Sequence, residues 1–111
     1  MKKSKIKVIL IDPYEEKMTE MEIFPTLKEF YRVMDCSMIE SVRSKKFSEN
    51  NSLYVDEEGT FKAPENIRRF YLKGWGFLIG KALVVNHDEE GKTISTTETV
   101  KSLEEFIMFE L

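Results

Sequence analysis

The sequence has 111 residues, 41% hydrophobic and 33% charged, with a net charge of −3 at pH 7 and one cysteine. That size leaves room for a single core, so residues 1–111 are expected to form one globular domain. The acidic balance excludes general binding of duplex nucleic acid, which draws its affinity from neutralised phosphates.

A lone Cys36 cannot close an internal disulfide and fits a reducing compartment. The start, "MKKSKIKVILIDP", has the basic residues of a signal peptide, but its apolar stretch, Val8 to Ile11, is too short for one. No segment nears the ~18 apolar residues of a membrane span. We therefore expect a cytoplasmic protein with no membrane partner.

"KIKVILI" (5–11) is β-branched and apolar, which suits a central strand covered on both faces. Asp12-Pro13-Tyr14 breaks it, because proline cannot donate to a sheet ladder. In "KMTEMEI" (17–23) the period of two predicts a second strand, hairpinned to the first. Thr26 and Glu29 then have capping-box spacing, and Leu27, Phe30, Tyr31 and Met34 form one helical stripe.

"CSMIESVRS" (36–44) predicts a strand and the polar "KKFSENNS" (45–52) a loop. "SLYV" (52–55) and "TFKA" (60–63) flank a first Asp-Glu-Glu-Gly and predict a short hairpin. "PENIRRFYL" (64–72) reads as one or two helical turns or an irregular connection. "GFLIGKALVV" (76–85) predicts a core strand bent at Gly80, and "KTIST" (92–96) returns after a second Asp-Glu-Glu-Gly. The closing "SLEEFIMFEL" (102–111) shows helical spacing, with Ser102 and Glu105 as a second capping pair. The expected fold is α+β, a mainly antiparallel sheet of five or six strands with two packed helices.

The repeated Asp-Glu-Glu-Gly lacks the alternating oxygen ligands of a calcium loop and predicts two hairpin turns, each led by aspartate and closed by a glycine at positive φ. "KGWGFLIGKA" (73–82) fails as a phosphate loop, since five residues follow Gly74 and three follow Gly76 before Gly80-Lys81, and Ala82 replaces the hydroxyl. One histidine, His87, is too few for a two-histidine metal site, and beside Asp88 it reads as a solvated surface group. Neither Cys36 nor any serine has an assignable basic partner. These absences predict a non-enzymatic protein with no cofactor and no metal.

"ENIRRFYLKGW" (65–75) gathers Asn66, Arg68, Arg69, Tyr71, Lys73 and Trp75 in an otherwise acidic chain. Arginine forks suit phosphate, and aromatic faces stack on bases or pair with cations. The stretch is either a connection with Ile67, Phe70 and Leu72 in the core, or a ligand surface. Phe109 and Leu111 make the terminus apolar enough to pack on a second copy as a homo-oligomer, or to close the domain's own core.

From "SLYVDEEGTFKAPENIRRFYL" to "GFLIGKALVVNHDEEGKTIS", with "KVILIDP" before them and a closing helix, the chain resembles small proteins of unknown function encoded by phages and mobile elements. "KFSENN" and "RRFYLKGW" depart from that pattern. The resemblance implies a role against host defence, in the host cytoplasm. One form is a sponge for a nucleotide second messenger of the cyclic class, with Arg68 and Arg69 on phosphate, Tyr71 or Trp75 stacking, and Asn66 on a base edge. The other is an inhibitor that covers a basic host protein through Glu15, Glu16, Glu20 and Glu22 or the acidic turns.

Overall fold

The structure is a computed structural model that describes residues 4–59, 65 and 67–109. The fold is α+β and mainly antiparallel, but its strands divide between two sheets of six and three strands. The first hairpin forms as the alternation predicts, β1 (Ile6–Asp12) against β2 (Lys17–Ile23), with Ile6 opposite Ile23 and Asp12 opposite Lys17. The Asp12 carboxylate closes the turn by accepting from the backbone N–H of Tyr14 at 2.9 Å.

Helix α1 (Leu27–Met34) starts where Thr26 accepts from the N–H of Glu29 at 3.3 Å. Only half of the expected capping box is made, because the Glu29 carboxylate turns to Arg32 at 2.8 Å. That guanidinium holds the Glu29 carboxyl below the usual glutamate range. The buried stripe is also narrower than the spacing predicts. Phe30 and Met34 are buried, while Leu27 is 57% exposed.

β3 (Ile39–Val42) and β4 (Ser52–Asp56) pair with each other. The second neighbour of β4 is β7 (Ala82–His87), which lies between β1 and β4 and runs antiparallel to both. The predicted partner segment, 60–63, lies outside the described residues. β8 (Thr93–Ile94) adds to β7 across the second Asp-Glu-Glu-Gly, which is a hairpin turn as expected.

Three expectations are corrected in the second half. Part of 64–72 is a strand, β5 (Arg69–Leu72), because Phe70 and Leu72 alternate into the core. The run 76–85 is two strands in different sheets, β6 (Gly76–Ile79) and β7, and the backbone changes sheet at Gly80 with φ +85. The terminal helix is shorter and earlier. α2 (Val100–Leu103) is capped by Thr99 with Ser102, after which β9 (Ile107–Met108) pairs with β5.

Alternation along the central strands fills both faces of the six-stranded sheet. Val8, Leu83 and Val85 pack with Phe30 and Met34 of α1. Ile9, Leu53 and Val84 face the other way, against Phe70 of the small sheet, Leu103 of α2 and Phe106 of the turn that follows it. Phe47, in the loop read as polar, joins this second core and packs edge-on to Phe106 at 5.4 Å. The outward side of the three-stranded sheet, β6-β5-β9, is thereby left facing away from the core.

Candidate functional site, a basic and aromatic surface on the small sheet

Strand β5 sorts the residues of "RRFYL" by parity. Phe70 and Leu72 are fully buried, so Arg69 and Tyr71 take the opposite side. The register sets Tyr71 opposite Phe77 and Arg69 opposite Ile79. The Arg69 guanidinium lies 3.8 Å from the Phe77 ring centroid, and that ring meets Tyr71 edge-on at 5.2 Å. The result is a short ladder of cation, ring and ring, with Phe77 44% exposed.

Trp75 stands in the β5–β6 turn, where its backbone N–H donates to the Leu72 carbonyl at 2.9 Å, and is 53% exposed. Exposed Lys73 shares that turn, and the Lys46 side chain reaches it, with Cε 3.6 Å from where a Cβ on Gly74 would sit. The hairpin end therefore carries cations beside its tryptophan.

Arg68 precedes the strand, and its guanidinium donates to the carbonyl of Ile67 at 2.9 Å. With Arg69 it lines a cavity of about 380 Å³, walled by Pro13, Ile67 and Phe109 and bordered by Glu16. Of the residues singled out in the sequence, Arg68 and Arg69 thus share one cavity. Tyr71 and Arg69 share one ring ladder, and Trp75 marks its far end. Asn66 lies outside the described residues.

Arg68 also faces a second cleft, of about 490 Å³, where Asp12, Glu15, Asp35 and Glu65 outnumber it and Lys81. That cleft repels phosphate, whereas the first cavity sets two arginines against one carboxylate. Phe109 of the apolar terminus is partly buried against the chain's own core, and Leu111 is outside the described residues.

Three features escaped the sequence reading. Phe77 has no local signal beyond its place in an apolar run; only the register with Tyr71 brings it to the site. His87 is not a merely solvated histidine. Its Nε2 is 2.8 Å from the Tyr54 hydroxyl, which also lies 2.6 Å from Thr93 Oγ1.

The third is a buried polar network. Asn51 donates to Thr97 Oγ1 and the Ser48 carbonyl and accepts from Thr96 Oγ1. Beside it the Glu98 carboxylate accepts from Ser48 N–H, Ser48 Oγ and Ser102 Oγ at 2.7 to 2.9 Å. These groups tie the 44–51 loop to the approach of α2, so their work is structural.

Among the described residues no group of three or more His, Cys, Asp or Glu side chains is placed to hold a metal ion. No helix among them is long and apolar enough to cross a membrane. No curated protein and no solved structure matches the chain. The pattern of one family does match, over residues 6–107, which takes in the whole six-stranded sheet and both Arg68 and Arg69. The chain belongs to that family, described as a domain of unknown function, DUF3846.

Proposed function

We propose that this chain is a non-catalytic nucleotide-binding domain that sequesters a signalling nucleotide, acting as a sponge against host defence in the phage setting that the resemblance implies. The observation that carries the reading is the convergence of Arg68 and Arg69 on one cavity of about 380 Å³ with apolar walls. That volume falls in the range of about 300–1,000 Å³ typical of small-molecule sites. Forked guanidinium donors take phosphate oxygens, Pro13, Ile67 and Phe109 offer apolar contact to a base, and Glu16 is available to a sugar hydroxyl or an exocyclic amine.

The test is thermal unfolding against a panel of cyclic di- and trinucleotides and related mononucleotides. A ligand at a hundredfold excess over its Kd raises stability by about 2.7 kcal/mol, a shift of several degrees for a domain of this size. The double variant Arg68→Ala/Arg69→Ala is expected to lose that shift while keeping its own unfolding temperature. Binding that survives in the double variant contradicts the reading.

A second reading, a blocker of a basic host protein, is favoured by the other cleft. Asp12, Glu15, Asp35 and Glu65 line it, and Glu15, Glu16, Glu20 and Glu22 are exposed on β2 and the turn before it. A panel without any shift, followed by a salt-sensitive protein complex lost in Glu15→Lys/Glu16→Lys, would favour the blocker.

A further inference from the structure

The arginine cavity does not end the ligand surface. Arg69 lines it and at the same time stacks on Phe77, so the phosphate end of the site runs without interruption onto the ring ladder. Tyr71 completes the ladder, and the β5–β6 turn that follows the strand carries Lys73 and Trp75, with Lys46 against it. The described cations along this path are Arg68, Arg69, Lys73 and Lys46, on a chain whose net charge is −3. Arginines at the cavity end and lysines at the turn end of the β5–β6 hairpin of an acidic protein favour an anionic partner along it. Exposed rings between the cations select a partner with flat π-faces of its own.

Resting on the nucleotide reading above, we infer that the ligand is longer than one nucleotide. The small sheet is a platform for a short single strand of RNA or DNA, with one phosphate at Arg68 and Arg69 and successive bases over Phe77, Tyr71 and Trp75. At ~3.3 Å per strand residue the path from Arg69 to the turn is on the order of 10–15 Å. One base on each of the three rings, with the phosphate end seated at the arginines, takes a strand of about three to four nucleotides. A duplex is excluded from this arrangement, because its bases are already stacked and cannot lie on the rings. An isolated mononucleotide would leave Trp75 and Lys73 without a role.

The experiment is fluorescence anisotropy of labelled oligoadenylate of roughly two, four and eight nucleotides, with unlabelled AMP as competitor. It is run on the whole chain, on Trp75→Ala and Phe77→Ala, and on the arginine double variant. Affinity is expected to climb up to about four nucleotides and then level off. Trp75→Ala should weaken the tetramer by roughly fivefold or more, from the ~1–3 kcal/mol of one base–ring stack, and leave AMP unchanged, whereas Phe77→Ala also removes the ring against Arg69 and should weaken both. The double arginine variant should weaken both ligands and flatten the dependence of log K on log salt by roughly 0.7, for the one phosphate the pair holds.

AMP and the tetramer binding equally, with Trp75→Ala inert, would overturn the extended platform and leave the mononucleotide site standing. Failure of every nucleotide to bind would overturn both readings. Tight binding of the eight-nucleotide strand in the double arginine variant would overturn the assignment of the phosphate end.

Discussion

Two polar regions of this molecule use their groups in opposite ways. Around Asn51 and Glu98 every partner lies inside the chain, with hydroxyls, amides and a carboxylate satisfying each other at 2.6 to 3.2 Å. Around Arg68 and Arg69 one guanidinium donates to a backbone carbonyl, the other lies over a ring face, and both residues line a cavity. The first arrangement buries its polarity and fixes a loop. The second keeps its polarity at the surface, where a partner can use it. The contrast separates residues that hold the fold from residues proposed to bind a ligand.

The comparison can be broken most forcefully from its structural side. Asn51→Ala leaves the Thr96 hydroxyl, the Thr97 N–H and the Ser48 carbonyl without this partner, at a cost of about 2–4 kcal/mol. Urea unfolding should show the loss, with ligand affinity of the folded fraction unchanged. If Asn51→Ala is neutral, the network is not what holds the 44–51 loop.

A smaller effect comes from the two Asp-Glu-Glu-Gly segments. A Cβ on Gly59 would lie 3.1 Å from the Ile79 side chain and 3.3 Å from its carbonyl oxygen, whereas one on Gly91 meets nothing within 4 Å. Gly91 instead has φ +84, the conformation expected at the close of a turn, and Gly59 is not among the residues at positive φ. Gly59→Ala is expected to cost about 1–3 kcal/mol by overpacking, and Gly91→Ala about 1–2 kcal/mol by strain. Asparagine sharpens the distinction. It relieves Gly91, where the left-handed region suits it, and worsens Gly59, where size is the obstacle.

On the functional side, Trp75→Ala should change stability by no more than about 0.5 kcal/mol, because that ring is more than half exposed, while Phe77→Ala should cost about 1 kcal/mol through its contacts with Arg69 and Tyr71. A large loss of stability in either would move that ring from the second region to the first.

The smallest effect concerns pH. Arg32 lowers the Glu29 carboxyl below its ordinary value, so the folded state binds that proton less readily than the unfolded state. The contribution is present above the unfolded value of ~4.3 and fades as pH falls through the lower folded value. Glu29→Gln should remove this acid-side component from an unfolding titration, with little effect at neutral pH.

Much of the fold was legible where the pattern was local. The β1–β2 hairpin, the helix after Thr26 and the Asp88–Gly91 turn follow from alternation, a cap and turn chemistry. The end of the chain was not legible, because two capping pairs compete there. Ser102 accepts from Thr99 N–H and donates to Glu98, so it closes a turn begun at Thr99 and cannot open the helix predicted with Glu105. Ile107 and Met108 are then free to pair with Leu72 and Tyr71, a contact set by distant sequence.

The same reason hid the division of 76–85 between two sheets and the register that carries Phe77 to Tyr71. The repeated Asp-Glu-Glu-Gly shows the limit from the other side. The aspartates act alike, each accepting from the N–H two residues on at 2.9 Å, while the glycines serve different needs. Of the site, the arginines and aromatics were visible as residue types, but their sorting between cavity, ladder and turn came only from the strand.

The most direct measurement is a calorimetric titration of a cyclic dinucleotide, and of a four-nucleotide single strand, into the wild type and into Arg68→Ala/Arg69→Ala. The account predicts saturable binding of at least one of these ligands to the wild type, and a loss of at least tenfold in the double variant with the fold intact. Equal affinity in the two proteins, or no heat with either ligand, would contradict the claim that the paired arginines form a nucleotide site.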